Sequence, residues 1–358
     1  MTNHSYMLYR FRRELIKALM ENHEVVLSMP FVGHEDDFMA MGLRCIKTDV
    51  DRRGINPKTD YRLFKTYFKM LKKEKPDLVL TYSIKPNIYA GLACGIQNIR
   101  FCANVQGLGT AFQKPGLAQF VTVLYKAAFR RVDTVFFENE GNAKLFIKHK
   151  IIPTKKVKLL HGAGINLKEY PYKPYPKCNS EHEKIHFLYL GRIMKEKGID
   201  ELFDAAKRLH REGHAFVLDL VGFFEDAYKE KVEELQRMGI AEFHGFQEEP
   251  RPYYEAADCV VMPSYHEGMS NVLLEAAAMG RPVITTNIYG CREAVEHGKT
   301  GILCKVKNTD SLYEAMKKFL GLSEKKRENM GVLGRQKMEN EFAKEKVVEE
   351  TVRVLVRQ

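Results

Sequence analysis

The chain has 358 residues, 45% hydrophobic and 29% charged, enough for two ordinary globular domains that each bury a core. It holds no apolar run of about 18 residues, and its opening MTNHSYMLYRFRR lacks the apolar centre of a signal peptide, so neither a membrane span nor a leader is expected. The net charge of +11 is uneven: residues 1–165 carry 27 Lys+Arg against 14 Asp+Glu and the rest is near neutral, which points the first half toward an anionic partner.

Short apolar runs alternate with amphipathic segments, the pattern of a parallel α/β protein. A helix is predicted over Tyr9–Met20, a strand over Glu24–Met29, a short helix near Asp37 and a strand over Cys45–Thr48. The next helix, Asp60 to Lys73, puts Leu63, Phe64, Tyr67 and Leu71 on one face and a basic stripe of Arg62, Lys65, Lys69 and Lys72 on another. Strands follow at Leu78–Thr81, Phe101–Asn104, Thr134–Phe137 and Val157–Leu160, with helices near 88–96, 117–130 and 140–149. Such a domain ordinarily opens with a strand, yet this chain enters a helix almost at once, so the first strand is expected to be missing.

Residues 167–184 hold three prolines and no apolar periodicity and read as a linker. A second series then runs through strands at Ile185–Leu190, Phe216–Val221, Glu242–His244, Cys259–Met262, Val283–Thr285 and Ile302–Cys304. Leu312–Leu320 and the segments from about 324 onward add a helical tail to it. The expected division is 1–166, linker 167–184, and 185–358. The seven cysteines, Cys45, Cys94, Cys102, Cys178, Cys259, Cys291 and Cys304, form no CxxC pair, and most of them sit in apolar segments and read as buried thiols of a cytosolic protein.

The stretch PSYHEGMSNVLLEAAAMGRP, Pro263 to Pro282, carries the most chemistry. Ser270 is placed to cap a helix opening on Asn271, Val272 and Leu273, and Gly280 and Pro282 close it. The first-turn N–H groups and the helix dipole make an anion site, and Gly268 lets a ligand approach the backbone. Glu267 and Glu275 bracket the helix start, so phosphate on the N–H groups with carboxylates for hydroxyls suits a nucleotide-sugar. A surface helix that begins Ser-Asn and carries two glutamates is the plain alternative. Earlier, LGRIMKEKG puts Gly191, Arg192, Lys195 and Lys197 in a basic loop between a strand and a helix, where doubly wound folds bind phosphate. A solvated basic loop is the alternative there.

GRIMKEKG together with EGMSNVLLEAAAMGRPVITT, in which Glu267 and Glu275 form an E-x7-E pattern, resembles the family-four glycosyltransferases of the GT-B fold over nearly the whole chain. DRRGINP, YSIKPNIY and QGLGTAF look like the bacterial members that build capsule, lipopolysaccharide or lipid-linked oligosaccharides. The resemblance implies two Rossmann-like domains facing a cleft, the first binding acceptor and the second binding donor. It implies a retaining hexosyltransferase that moves a hexose or N-acetylhexosamine from a UDP-sugar to a polyprenyl-diphosphate-linked or glycan acceptor, without cofactor or metal. Arg192 and Lys197 would hold the diphosphate, Glu267 would contact the donor sugar, and Glu275 would bind the ribose. Gly191, Gly268, Met269, Ser270 and Asn271 would complete the donor site through their backbone. Gln106, Gly107 and Lys85 fall on the acceptor side; where relatives place a histidine this chain has Gln106, so no base carries over.

Asp49-Val50-Asp51 is a D-x-D string followed by Arg52 and Arg53, and it reads as chance rather than a metal site. Gly107 to Phe112 lacks the third glycine and the later acidic residue of a dinucleotide fingerprint. The apolar stretch Leu117–Phe129, ending in Arg130-Arg131, is either a core helix or a face that dips into a bilayer. An anionic membrane surface as partner and attachment to the inner face of the cell membrane are therefore expected. Rival readings are a sugar-nucleotide epimerase of the same fold, a non-catalytic sensor, and a nucleic-acid-binding protein, the last lacking any accompanying motif.

Overall fold

The computed structural model describes all residues except 52–55, 108–111, 113–114, 178–183 and 357–358. The chain divides into two compact units, Met1–Gly164 with Glu345–Gln358, and Ile165–Lys344.

In the first unit β1 (Val26–Met29) pairs in parallel with β2 (Arg44–Lys47), and β3 (Leu78–Tyr82), β4 (Arg100–Val105), β5 (Thr134–Phe137) and β6 (Val157–Leu159) form a parallel four-stranded sheet. The strand expected at the front is represented by the backbone of Met1 and Thr2. Thr2 N–H donates to Ser28 O at 3.1 Å, and Tyr82 N–H donates to Met1 O at 2.9 Å, so these two residues span the gap between β1 and β3. The helices are α1 (Ser5–Met20), α2 (Glu35–Ala40), α3 (Pro57–Glu74), α4 (Ile84–Gln97), α5 (Pro115–Ala128) and α6 (Glu140–Lys148). α4 begins four residues before the predicted start because Pro86 lies in its first turn, where a missing N–H costs no helical bond. On α3, Leu63, Tyr67 and Leu71 are buried, and Arg62, Lys65, Lys69 and Lys72 are exposed, as the periodicity predicts.

The second unit is one parallel six-stranded sheet of order β12-β11-β10-β7-β8-β9, built from β7 (Ile185–Leu190), β8 (Phe216–Val221), β9 (Ala241–Gly245), β10 (Cys259–Met262), β11 (Val283–Thr286) and β12 (Gly301–Cys304). α7 (Ile199–Arg211), α8 (Lys229–Arg237) and α11 (Thr309–Leu320) join the core on one face; α9 (Arg251–Ala256) and α10 (Asn271–Ala278) join that on the other.

Two boundary expectations are corrected. Residues 165–177 are part of the second unit rather than a linker. Tyr170 and Tyr175 are buried, Ile165 N–H donates to Phe342 O at 2.7 Å, and the Arg281 guanidinium donates to Pro174 O at 2.8 Å. The tail is shared. α12 (Glu324–Lys337) packs on the second unit, where a Cβ at Gly331 would lie 2.0 Å from Gly280 O. α13 (Lys344–Leu355) instead completes the first unit, with Val354 and Leu355 packed on Cys102, Phe136 and Leu160 and Arg100 donating to Leu355 O at 2.8 Å.

Candidate functional site

The carboxyl ends of β7 and β10 are neighbours in the sheet, and two loops leave the sheet there. After β7 the chain turns at Gly191 (φ 152°), whose N–H donates to Val221 O at 2.9 Å. A Cβ at Gly222 would lie 1.8 Å from Gly191 O, so only glycine allows the two strand ends to meet. A 3-10 turn over Lys195–Lys197 then leads through left-handed Gly198 into α7. A Cβ on Gly198 would lie 2.1 Å from Pro263 O, and Tyr265 N–H donates to Glu196 O at 2.9 Å. The basic loop is thereby fastened to the loop after β10.

That fastening brings Lys197 and Glu267 together. The Lys197 Nζ donates to Glu267 Oε1 at 2.5 Å, with the side chains 15% and 14% exposed. Buried neighbours stay neutral around them. The Tyr189 hydroxyl and the Cys291 thiol are both pushed upward, first by burial and then by the charge of Glu267. Arg192 stands further out, half-exposed, its Nη1 on Glu225 Oε2 at 2.9 Å.

The loop from Glu267 to Ser270 is held from its other side by residues 288–293. Ser270 N–H donates to Gly290 O at 2.8 Å, and Gly290 N–H donates to Glu293 Oε2 at 2.7 Å. A Cβ at Gly290 (φ 88°) would lie 2.6 Å from Glu267 O and 2.7 Å from Gly268 O. Ser270 occupies the cap position of α10, but its hydroxyl donates to Met262 Sδ at 2.9 Å and makes no capping bond, contrary to expectation. The first-turn N–H groups of α10 are therefore left for an outside acceptor. The Met269 side chain lies in the core beneath the loop, leaving its backbone for any ligand. Glu275 is also buried and accepts from the Tyr254 hydroxyl of α9 at 2.8 Å.

Of the acceptor-side residues, Gln106 follows β4 and donates to Met7 Sδ at 3.5 Å, next to Gly107. Lys85, in the first turn of α4, is instead paired with Asp60 Oδ1 at 2.8 Å. Leu108 to Ala111 of the glycine-containing stretch lie outside the described residues, as does Cys178. Asp49 and Asp51 are both exposed on the segment after β2. On α5, Val121, Tyr125 and Ala128 are buried, while Phe120 and Val123 are 48% and 63% exposed beside exposed Lys126. Glu225, Tyr254, Gly290 and Glu293 escaped the sequence reading. No local pattern marks them, since Glu225, Tyr254 and Gly290 act on segments far away in the chain and Glu293 acts only through Gly290.

Comparisons with known proteins agree on the kind of chain this is. Residues 2–139 match the family model described as glycosyl transferase 4-like, and residues 176–337 match glycosyl transferases group 1. The N,N'-diacetylbacillosaminyl-diphospho-undecaprenol alpha-1,3-N-acetylgalactosaminyltransferase of Campylobacter jejuni is 28% identical over 87% of this chain and 86% of its own. The capsular polysaccharide biosynthesis glycosyltransferase CapM of Staphylococcus aureus is 29% identical over 82% of this chain and 81% of its own. In fold, the chain resembles Anabaena HepE solved in complex with UDP, with a TM-score of 0.78 over 100% of this chain and 98% of that one at 16% identity.

Proposed function

The chain belongs to the group 1, GT4-like glycosyltransferases, and from that premise we propose that it moves a hexose or N-acetylhexosamine from a UDP-sugar to a lipid-linked or polysaccharide acceptor with retention of configuration. The observation that carries the reading is the meeting of Lys197, Glu267 and the uncapped start of α10 at the ends of adjacent strands. An ammonium has three N–H donors, and Glu267 takes one, leaving two for phosphate oxygens. Arg192 adds a second cation from the same loop, and the α10 N–H groups add uncharged donors. Two positive side chains and a helix start stabilise the departing diphosphate without a metal.

Glu267 then faces the donor sugar and buried Glu275 takes the ribose hydroxyls, with Tyr254 orienting its carboxylate. The acceptor hydroxyl oxygen attacks the anomeric carbon on the face the diphosphate leaves. The carbon–oxygen bond to UDP breaks, and the hydroxyl proton passes to a phosphate oxygen of the leaving group.

The names of the Campylobacter and Staphylococcus relatives support an acceptor that is lipid-linked or a growing polysaccharide. The exposed basic stripe of α3 and the exposed Phe120 and Val123 support attachment of the first unit to the inner, anionic face of a membrane. No helix among the described residues is long and apolar enough to cross one.

The experiment incubates the chain with a panel of radiolabelled UDP-sugars, with and without a polyprenyl-diphosphate-linked saccharide, and reads label in the lipid fraction. Transfer from one UDP-sugar only when acceptor is present is expected. Donor turnover to an isomeric sugar nucleotide with no acceptor would replace the reading by an epimerase.

A further inference from the structure

We propose that Asp219, Glu242 and His244 form a binding site for Zn2+, with His186 as the residue that positions Asp219. The site lies on the second unit's sheet at its β9 edge and is independent of the transfer reading. The ligand atoms of Asp219, Glu242 and His244 all lie within 4.8 Å of one another.

The register explains how they meet. Asp219 on β8 stands directly opposite Glu242 on β9, so two carboxylates stand side by side on neighbouring parallel strands. The ladder shifts register between Leu220 and Val221, which leaves His244 as an extra residue on the β9 side. Such a bulge re-aims a side chain, and here it turns the His244 Nε2 to within 2.8 Å of Asp219 Oδ1. Packing holds the ring in that pose, with the Tyr253 ring centroid 5.0 Å away. The other oxygen, Asp219 Oδ2, is engaged by His186 Nδ1 at 2.8 Å. The His186 backbone N–H is itself fixed on Asp258 at 2.8 Å. His186 thus stands outside the three ligands and fixes one oxygen of Asp219, as groups around a metal site fix its ligands.

One imidazole and two carboxylates suit a borderline divalent ion rather than Mg2+ or Ca2+, which take oxygen only and in larger number. Ligand atoms around tetrahedral zinc stand about 3.3 Å apart, so entry of the ion opens the His244–Asp219 contact by about half an ångström and displaces its proton. Asp219 and His244 are half-buried while Glu242 is exposed, which gives the ion a path from solvent and a fourth position for water.

The test is calorimetric titration of the chelator-treated full chain with Zn2+ alone, repeated with His244→Ala, Glu242→Gln and Asp219→Asn. One saturable ion per chain is expected, with affinity falling at least about tenfold in each variant. Glu242 is exposed, so its variant folds even if Asp219→Asn does not. Co2+ bound in place of zinc should give a visible absorption band that His186→Ala weakens or shifts, whereas His244→Ala removes it. Absence of saturable Zn2+ binding, or unchanged binding in both His244→Ala and Glu242→Gln, overturns the proposal.

Discussion

Lys197 is the side chain on which the donor reading depends most. A charge-assisted hydrogen bond contributes about 1.5–3 kcal/mol, so Lys197→Ala should lower kcat/KM for donor by roughly tenfold to more than a hundredfold. Turnover kinetics check this, and unchanged kcat/KM for every nucleotide-sugar would refute the assignment. The two glutamates should part company in calorimetry with UDP alone. Glu275→Gln should weaken UDP binding, and Glu267→Gln should bind UDP nearly normally yet lose transfer; the opposite pattern would exchange their roles. Both carboxylates and the lysine stand out in the sequence because glycine, a basic loop and a helix start flank them within a few residues. The partner of Glu275 does not, since Tyr254 reaches it from α9 through tertiary packing.

At the level of the element, the loop before α10 is positioned as much by its neighbour as by its own residues. Gly290→Ala adds a methyl group 2.6 Å from Glu267 O and forces a residue with φ 88° to carry a side chain. Strain of this kind costs about 1–3 kcal/mol. The loop should move away from Lys197, with transfer falling further than thermal stability; equal loss of both would mean that the clamp is only structural. Ser270 illustrates the limit of local reading. Its place one residue before α10 is legible, but whether its hydroxyl caps the helix or turns back is decided by Met262 Sδ on the adjacent strand end. α5 makes the same point: its periodicity was compatible with core and with membrane, and only packing reveals a buried side of Val121 and Tyr125 and an exposed side of Phe120 and Val123.

For the whole molecule, the concentration of positive charge in residues 1–165 sets one expectation and the return of α13 to the first unit sets a second. Each basic residue near an anionic surface contributes about 1 kcal/mol, so the Arg62–Lys65–Lys69–Lys72 stripe suffices for peripheral attachment without an anchor. Flotation should recover the chain with anionic liposomes at low salt and lose it toward 1 M salt, where the screening length falls to about 3 Å. Binding that ignores lipid charge would leave Phe120 and Val123 as the anchor, and no binding would favour a soluble acceptor. The second expectation concerns α13. Removing residues 345–358 should speed hydrogen exchange in β4 and β5, whose Cys102 and Phe136 it covers, and leave β10 protected. Uniform exchange in both units would mean that the helix is dispensable to the first.

Taken alone, the sequence determined the alternation of strands and helices, the division into two α/β series, and the two motifs on which the donor proposal rests. All of these depend on residues close together in the chain, where periodicity, glycine and helix-start chemistry are direct causes. Tertiary structure decided what joins distant segments. Met1 and Thr2 enter the gap between β1 and β3, residues 165–177 pack into the second unit, and α13 returns to the first. It also decided that Gly290 clamps the Glu267 loop and that two opposed carboxylates meet His244 at a bulge. Those outcomes depend on burial and strand register, which are fixed by the complete set of competing contacts rather than by any short stretch of chain.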